Sequence, residues 1–368
     1  MFQVDASLRG GGPRPGGRSS LPVIPAVLAP RGHAIFLSRP SARATSPRPP
    51  LRAPSTLPLV SDLDLLVVGD VNPDLVLSGG DLEPRYGQAK VAIPRADLVV
   101  GGSAAIVATG AARLGLRVGV CGVVGDDPAG RLVSDELRTA GVSTSYLRVD
   151  PSLPTGISVI FVRSDDRAIL TSSGSISALG PDGLGRLPDR PARHVHSSGY
   201  YLMNEAFTSA LPEAFARFRA AGATTSIDTG WDPDDEWALD GVFAHLDLFL
   251  PNRAELRAAT RRGSITDAMA VVREQGVDVA VKLGRKGGAA VVDGEPIRVG
   301  APEPESFADA VGAGDSFNAG YLAAMLSGAS VAHALRLAVA AGTLSTRRSG
   351  GTAGQATRDE AEALAATL

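Results

Sequence analysis

The sequence predicts an α/β fold, with a mostly parallel central sheet flanked by helices. Three observations predict it. Short apolar runs empty into polar residues, as Leu63-Asp64-Leu65-Leu66-Val67-Val68 does into Gly69-Asp70, which is how buried parallel strands end at a site loop. Beyond Thr171, strand-like and helix-like segments alternate down the chain, the sign of βαβ units. Finally, Asp309-Ala310-Val311-Gly312-Ala313-Gly314-Asp315 leads directly into Ser316 to Leu326, a stretch rich in Ala and long apolar residues and therefore helical.

Composition bounds the answer. At 368 residues and 44% hydrophobic content, the chain suits one large α/β domain or two ordinary ones. The formal net charge is −3 and the body of the chain has no basic face, so nucleic acid is not an expected partner. A single cysteine, Cys121, excludes an intramolecular disulfide and most cysteine-based metal sites, and a cytoplasmic location is expected. No apolar run approaches a membrane span in length, so no membrane partner is expected either.

Residues 1–61 are of another kind: Pro, Gly, Ser and Arg dominate, and no acidic residue lies between Asp5 and Asp62. A disordered or mis-called extension is the expectation, with the folded domain spanning 62–368. Arg-rich, acid-poor tails also serve as transit peptides or nucleic-acid arms.

From Asp62 the elements follow in order. After the first strand, Asn72-Pro73-Asp74 is good turn chemistry, placed where open α/β sheets bind ligands. Val99-Val100-Gly101-Gly102-Ser103 turns into an Ala-rich helix. Val118 to Val124 reads as a strand, and Asp126-Asp127 as a helix-capping turn rather than a metal pair. Thr155 to Val162 alternates as a strand, turns at Asp165-Asp166-Arg167 and returns through Ala168-Ile169-Leu170-Thr171, a hairpin. Val195 to Tyr201 and Thr224 to Gly230 are further strand-to-loop units, and Asp228 stands at the carboxyl end of the second with its role left open. His194 and His196 share one face of their strand without a third ligand at metal spacing, and read as structural. Leu246 to Leu250 leads into Pro251-Asn252-Arg253-Ala254-Glu255, and Val279 to Leu283 into Gly284-Arg285-Lys286-Gly287.

The chemistry centres on Asp315. A Gly-Ala-Gly entry to a helix lets a ligand approach the backbone and presents unpaired N–H groups at the positive end of the helix dipole, an anion site. An acidic residue there conflicts with an anion unless it takes a proton from a hydroxyl while the N–H groups hold a phosphoryl group in transit. The plainer reading of the same residues is an ordinary glycine-rich turn with an acidic N-cap.

This segment resembles the signature of the ribokinase-like (PfkB-type) carbohydrate kinases, Asp-Thr-x-Gly-Ala-Gly-Asp, with Ala310 in place of Thr. The resemblance spans roughly residues 62–360, and four motifs appear in family order: Gly101-Gly102, Asn252-x-x-Glu255, Gly284-x-x-Gly287 and the Asp309–Asp315 segment. It implies a ribokinase-like fold with a small β lid, its strands within 72–100 and 155–172. It further implies Asp315 as catalytic base, with Gly312, Ala313 and Gly314 as anion hole. Asn72, Asp74, Gly101, Gly102 and Ser103 would bind substrate, and Gly284, Gly287, Lys282 and Gly350 the nucleotide. Asn252 and Glu255 would organise magnesium through water, although Asn with Glu three residues later is equally a capping box. Asp309 and the loop at Gly350 would hold a monovalent cation such as potassium. Ile106 stands where the family carries Asn, an amide that bonds a substrate hydroxyl; isoleucine has no such group.

The implied activity is ATP-dependent phosphorylation of a hydroxyl on a sugar-like molecule, with ATP and magnesium as cofactors and a homodimer formed through the lid. A nucleoside kinase, or a non-catalytic nucleotide- or sugar-binding member of the same fold, are the alternatives; Ile106 and Ala310 motivate the second. A dehydrogenase is disfavoured, since Gly69-Asp70-Val71-Asn72 lacks the glycines a pyrophosphate needs.

Overall fold

The computed structural model describes residues 62–163 and 166–368; the extension 1–61 and the hairpin turn at Asp165 lie outside the described residues. The strands are β1 (Leu65–Gly69), β2 (Asn72–Ser78), β3 (Arg95–Gly101), β4 (Val118–Gly125), β5 (Ser143–Asp150), β6 (Ile157–Arg163), β7 (Asp166–Ser172), β8 (His194–Ser198), β9 (Thr224–Ile227), β10 (Leu248–Phe249), β11 (Asp278–Lys282), β12 (Gly288–Val292) and β13 (Glu295–Val299). They form a nine-stranded sheet in the order β13-β12-β11-β10-β9-β8-β1-β4-β5 and a four-stranded sheet in the order β3-β2-β6-β7. In the large sheet every pairing from β11 to β5 is parallel, and β12 and β13 add an antiparallel edge.

The apolar run at β1 is continuous because both of its faces are buried. Leu65 and Val67 join one core with the helices Ser103–Arg113, Ala313–Leu326 and Val331–Ser345. Leu66 and Val68 join the other, with Phe207 and Phe215 of the helix Glu205–Ala220, Leu256 and Met269. Period-two alternation thus sends successive residues to opposite layers, the arrangement of a doubly wound sheet.

Strand β1 is where the winding reverses: β4 flanks it on one side and β8 on the other. At such a switch point the carboxyl ends of the strands diverge and leave a crevice. The smaller sheet closes on this region, Val76 and Ile160 packing against Val311, just ahead of the helix Ala313–Leu326. Residues 79–94 carry no strand.

Two local expectations resolve at the sheet. His194 and His196 are buried and share Ser226, whose Oγ lies 2.6 Å from His194 Nε2 and 2.7 Å from His196 Nδ1. Burial pushes their pKa values down to about 3 and about 4, so both rings are neutral. Asp127 caps the helix Pro128–Thr139, its Oδ1 accepting from Gly130 N at 2.8 Å. Among the described residues no helix is long and apolar enough to cross a membrane.

Candidate active site

Polar side chains gather where β1 ends. Asp70 follows it directly and accepts from Ser103 N at 2.8 Å and Ala104 N at 3.3 Å, so it caps the Ser103–Arg113 helix from another part of the chain. That helix begins at Gly102 with no cap of its own, and the carboxylate meets its positive end. Asn72 Nδ2 donates to Asp74 Oδ1 at 3.1 Å and Ser158 Oγ at 3.3 Å, and Ser158 Oγ lies 3.1 Å from Thr171 Oγ1. The strand register puts Asp74 opposite Ser158 and Ser158 opposite Thr171, which makes one polar row across the smaller sheet.

Burial, reinforced by the Asp70 charge, raises Asp74 to about 7. Asn72 Oδ1 is buried and has no hydrogen-bond partner among the described residues, an acceptor whose isolation a ligand hydroxyl would relieve. The double glycine has a steric cause. A Cβ at Gly101 would lie 2.0 Å from the Asp74 carboxylate, and one at Gly102 2.8 Å from Asn72 Oδ1.

The second element is the turn into the Ala313–Leu326 helix. Gly312 has φ 68° and ψ 6°, and a Cβ there would lie 2.6 Å from Gly351 Cα. Gly312 to Asp315 are half-buried, and Asp315 is the third residue of the helix. Burial raises the Asp315 pKa to about 7; the Asp228 charge adds to this and Lys282 opposes it. Asp309 staples two loops, with Oδ1 accepting from Val311 N at 2.9 Å and Oδ2 from Gly350 N at 3.1 Å. Ile106 is buried with its side chain against this junction: a Cβ on Gly351 would meet Ile106 Cδ1 at 2.4 Å, and one on Gly312 would meet its Cγ2 at 3.1 Å. The side chain therefore fills the space beneath the turn. Gln355 ties the same elements, donating from Nε2 to Ile106 O at 2.9 Å and Ser316 Oγ at 3.2 Å.

The third element lies at the ends of β9 to β11. Lys282 is paired with Asp228, which also accepts from Asn318 Nδ2 at 2.6 Å. Asn252 and Glu255 form a full capping box on the helix Arg253–Thr260, with Glu255 Oε2 accepting from Asn252 N at 2.7 Å and Asn252 Oδ1 from Glu255 N at 3.0 Å. Burial and the Asp228 charge raise Glu255 to about 7. Gly284 is exposed at φ +60° with nothing near its missing Cβ, while Gly287 is buried at φ +82°.

The sequence-derived residues thus fall into three groups: Asn72, Asp74, Gly101, Gly102 and Ser103; Asp309, Gly312 to Asp315 and Gly350; and Asn252, Glu255, Lys282, Gly284 and Gly287. Direct contacts and mutual charge effects link them. Gly350 touches β3, since a Cβ there would lie 2.9 Å from Val99 Cγ2, and Lys282 acts on both Glu255 and Asp315. Sequence reasoning did not assign Ser158, Thr171, Asn318 or Gln355, and left the role of Asp228 open. Asn318 was within reach of it, because it stands one helical turn after Asp315. The pairing of Lys282 with Asp228 joins residues far apart in the chain, and no local pattern announces it.

The sheet, with its helices and a crevice at the switch point, defines a ribokinase-like α/β fold. The chain belongs to the pfkB family of carbohydrate kinases, whose model matches residues 62–358. It is 32% identical over 296 residues to an ATP-dependent ribose-1-phosphate kinase of Halopiger xanaduensis, covering 78% of this chain and 93% of that one. It is 31% identical over 262 residues to a 2-dehydro-3-deoxygluconokinase of Thermoproteus tenax, covering 67% and 78%. A structure of Arabidopsis thaliana ribokinase complexed with ribose and ATP superposes with a TM-score of 0.69 at 26% identity, covering 82% of this chain and 98% of that one.

The packing of Ile106 makes a prediction. Ile106→Ala empties the space against Gly312 and Gly351 and destabilises the fold by about 2–5 kcal/mol. Chemical denaturation of the variant beside the native chain measures the loss; an unchanged midpoint would show that the side chain does not support the turn.

Proposed function

We propose that this protein phosphorylates a hydroxyl of a sugar-like acceptor at the expense of ATP, with Asp315 as general base. The observation that carries the reading is the placement of a carboxylate of raised pKa in the first turn of a helix that opens on an αL glycine, in the crevice of a family fold built for carbohydrate phosphorylation. In this reading the acceptor O–H gives its proton to the Asp315 carboxylate as its oxygen bonds to the γ-phosphorus. The bond from that phosphorus to the bridging oxygen breaks, and ADP leaves with the electron pair. The backbone N–H groups of Gly312 to Asp315 face the charge that develops on the group in transit.

The remaining roles follow from position. Asn72, Asp74, Gly101, Gly102 and Ser103, joined by Ser158 and Thr171, bind the acceptor hydroxyls. Gly284, Gly287 and Gly350 border the nucleotide. The donor set at Asn252 and Glu255 is all oxygen and nitrogen, and their oxygens already take part in the capping box. Magnesium would therefore be held there through its own water shell, on the remaining lone pairs, and would supply charge neutralisation to the phosphates. Asp309 would share a monovalent cation with the loop at Gly350; its oxygens are otherwise spent on Val311 N and Gly350 N.

A dimer through the smaller sheet belongs to the same proposal. On the face opposite the polar row, Leu98, Leu75, Val159 and Leu170 lie side by side, with Leu98 55% and Leu170 65% exposed. An exposed apolar row of this kind across a sheet face invites a second copy. Sedimentation should give a dimer mass for the native chain and a monomer for Leu98→Glu with Leu170→Glu; a native monomer would end this part of the proposal.

Asp315→Asn is expected to lower kcat by about 10²–10⁴-fold while nucleotide affinity holds, as loss of a general base requires. ADP release, coupled to an indicator reaction and run across a panel of sugars, sugar phosphates, sugar acids and nucleosides, measures it. Turnover close to native in the variant would refute the assignment.

The pH dependence has a definite sign. A base must be ionised, and Asp315, Asp74 and Glu255 are all raised to about 7, so kcat/KM for the acceptor should rise with pH through about 7 and level off above it. Asp74→Asn removes one of the three ionisations and should make the acid limb less steep. A profile flat from pH 5 to pH 8 would contradict the raised carboxylates, whose limb spans about two units.

A further inference from the structure

Lys282 was expected to bind the nucleotide, and its side chain lies inside the crevice. Its side chain is 12% exposed and its ammonium is paired with Asp228, itself 9% exposed. The stem lies along the anion-hole turn: a Cβ on Gly314 would stand 3.4 Å from Lys282 Cδ and 4.0 Å from Nζ. The backbone of Lys282 is bonded beside Asn252, with Lys282 N donating to Pro251 O at 2.9 Å. The ammonium therefore sits where the Gly312–Asp315 turn, the Asn252–Glu255 cap and the start of the Gly284–Gly287 turn meet.

Two bonds hold this lysine's partner. Asn318 Nδ2 donates to Asp228 Oδ2 at 2.6 Å and Gly230 N to Oδ1 at 3.3 Å. Asn318 projects from the helix that carries Asp315, so this single helix presents the candidate base and also fixes the carboxylate that anchors the lysine. An ammonium has three donors, and the bond to Asp228 uses one. A buried ion pair is a poor device for stability alone, because desolvating the charges offsets most of their attraction. Its place against the anion hole suggests another use.

We propose that Lys282, positioned by Asp228 and Asn318, recognises the terminal phosphate of a nucleoside triphosphate and distinguishes it from a diphosphate. The inference rests on the kinase reading. A phosphate chain running from the Gly284–Gly287 turn to Gly314 passes the ammonium with its last phosphate, and a diphosphate stops short. Asp228 is a positioning residue, since it acts through the lysine.

Calorimetric titration of the full chain with magnesium–AMP-PNP and with magnesium–ADP tests this without turnover. Lys282→Met should weaken the triphosphate analogue by about 10- to 100-fold, the range of one hydrogen bond between charged groups, and leave ADP within about twofold. Asp228→Asn should lower the triphosphate-to-diphosphate preference in the same direction, and Lys282→Arg should restore part of it. Equal weakening of both nucleotides, or no change in either, would overturn the inference while leaving the kinase reading intact. Failure of the native chain to bind either nucleotide would overturn both. If Lys282→Met alone does not fold, because it strands the Asp228 carboxylate, Lys282→Met with Asp228→Asn removes both charges and carries the same test.

Discussion

The site depends on one electrostatic constraint: Lys282 lies among Asp228, Glu255 and Asp315 at the carboxyl edge of the sheet. One ammonium cannot neutralise three carboxylates in a low-dielectric crevice. Asp228 takes it, through the direct pair and with help from Asn318, and its pKa is held down by that contact against the opposing cost of burial. Glu255 and Asp315 are left to carry the penalty, and both rise to about 7. A residue poised near neutrality is what proton transfer needs, since it is basic enough to take a proton and ionised enough to be available. The ion pair thus organises the site even though it is not where the acceptor would react.

The scaffold adds a second constraint. Two helix N-termini open near the switch point, at Ser103 and at Ala313, and each is a potential anion site. The chain fills the first itself, with Asp70 accepting from Ser103 N and Ala104 N. The second has no side-chain cap. Gly312 lets its turn pack against Gly351, where a Cβ would lie 2.6 Å from Gly351 Cα, and Ile106 and the Asp309 staple hold the turn in place. The two ends differ by a built-in carboxylate, which no inspection of either helix alone reveals.

This explains which parts of the molecule the sequence made legible. The doubly wound sheet was readable because parallel strands buried on both faces leave continuous apolar runs, as at Leu65 to Val68, and because polar residues mark their carboxyl ends. The glycines at 101, 102 and 312 were readable because close backbone approach leaves few other choices of residue. Ile106 was legible as a side chain without the amide's hydrogen-bonding groups, but not as the residue that packs beneath the Gly312 turn. Lys282 was legible as a nucleotide contact that the resemblance implied, but not as half of an ion pair. Its partner lies in another strand's loop, and such pairings are set by sheet order, which local periodicity does not carry.

The acceptor is where the physical reading narrows furthest. Three relatives of this fold, at comparable similarity, bear the names of a ribose-1-phosphate kinase, a 2-dehydro-3-deoxygluconokinase and a ribokinase, so the shared frame does not choose among acceptors. The smaller sheet carries the row Asp74, Ser158 and Thr171, with apolar Val76, Ile160 and Ile169 in the next row of the same face. In the proposed kinase reading this row would meet acceptor hydroxyls, each of which can donate to one oxygen and accept from another. The apolar row beside it is already covered, because Val76 and Ile160 pack against Val311. The two rows thus divide the work: one presents hydrogen-bonding groups, and the other ties the smaller sheet to the segment that leads into the Ala313–Leu326 helix.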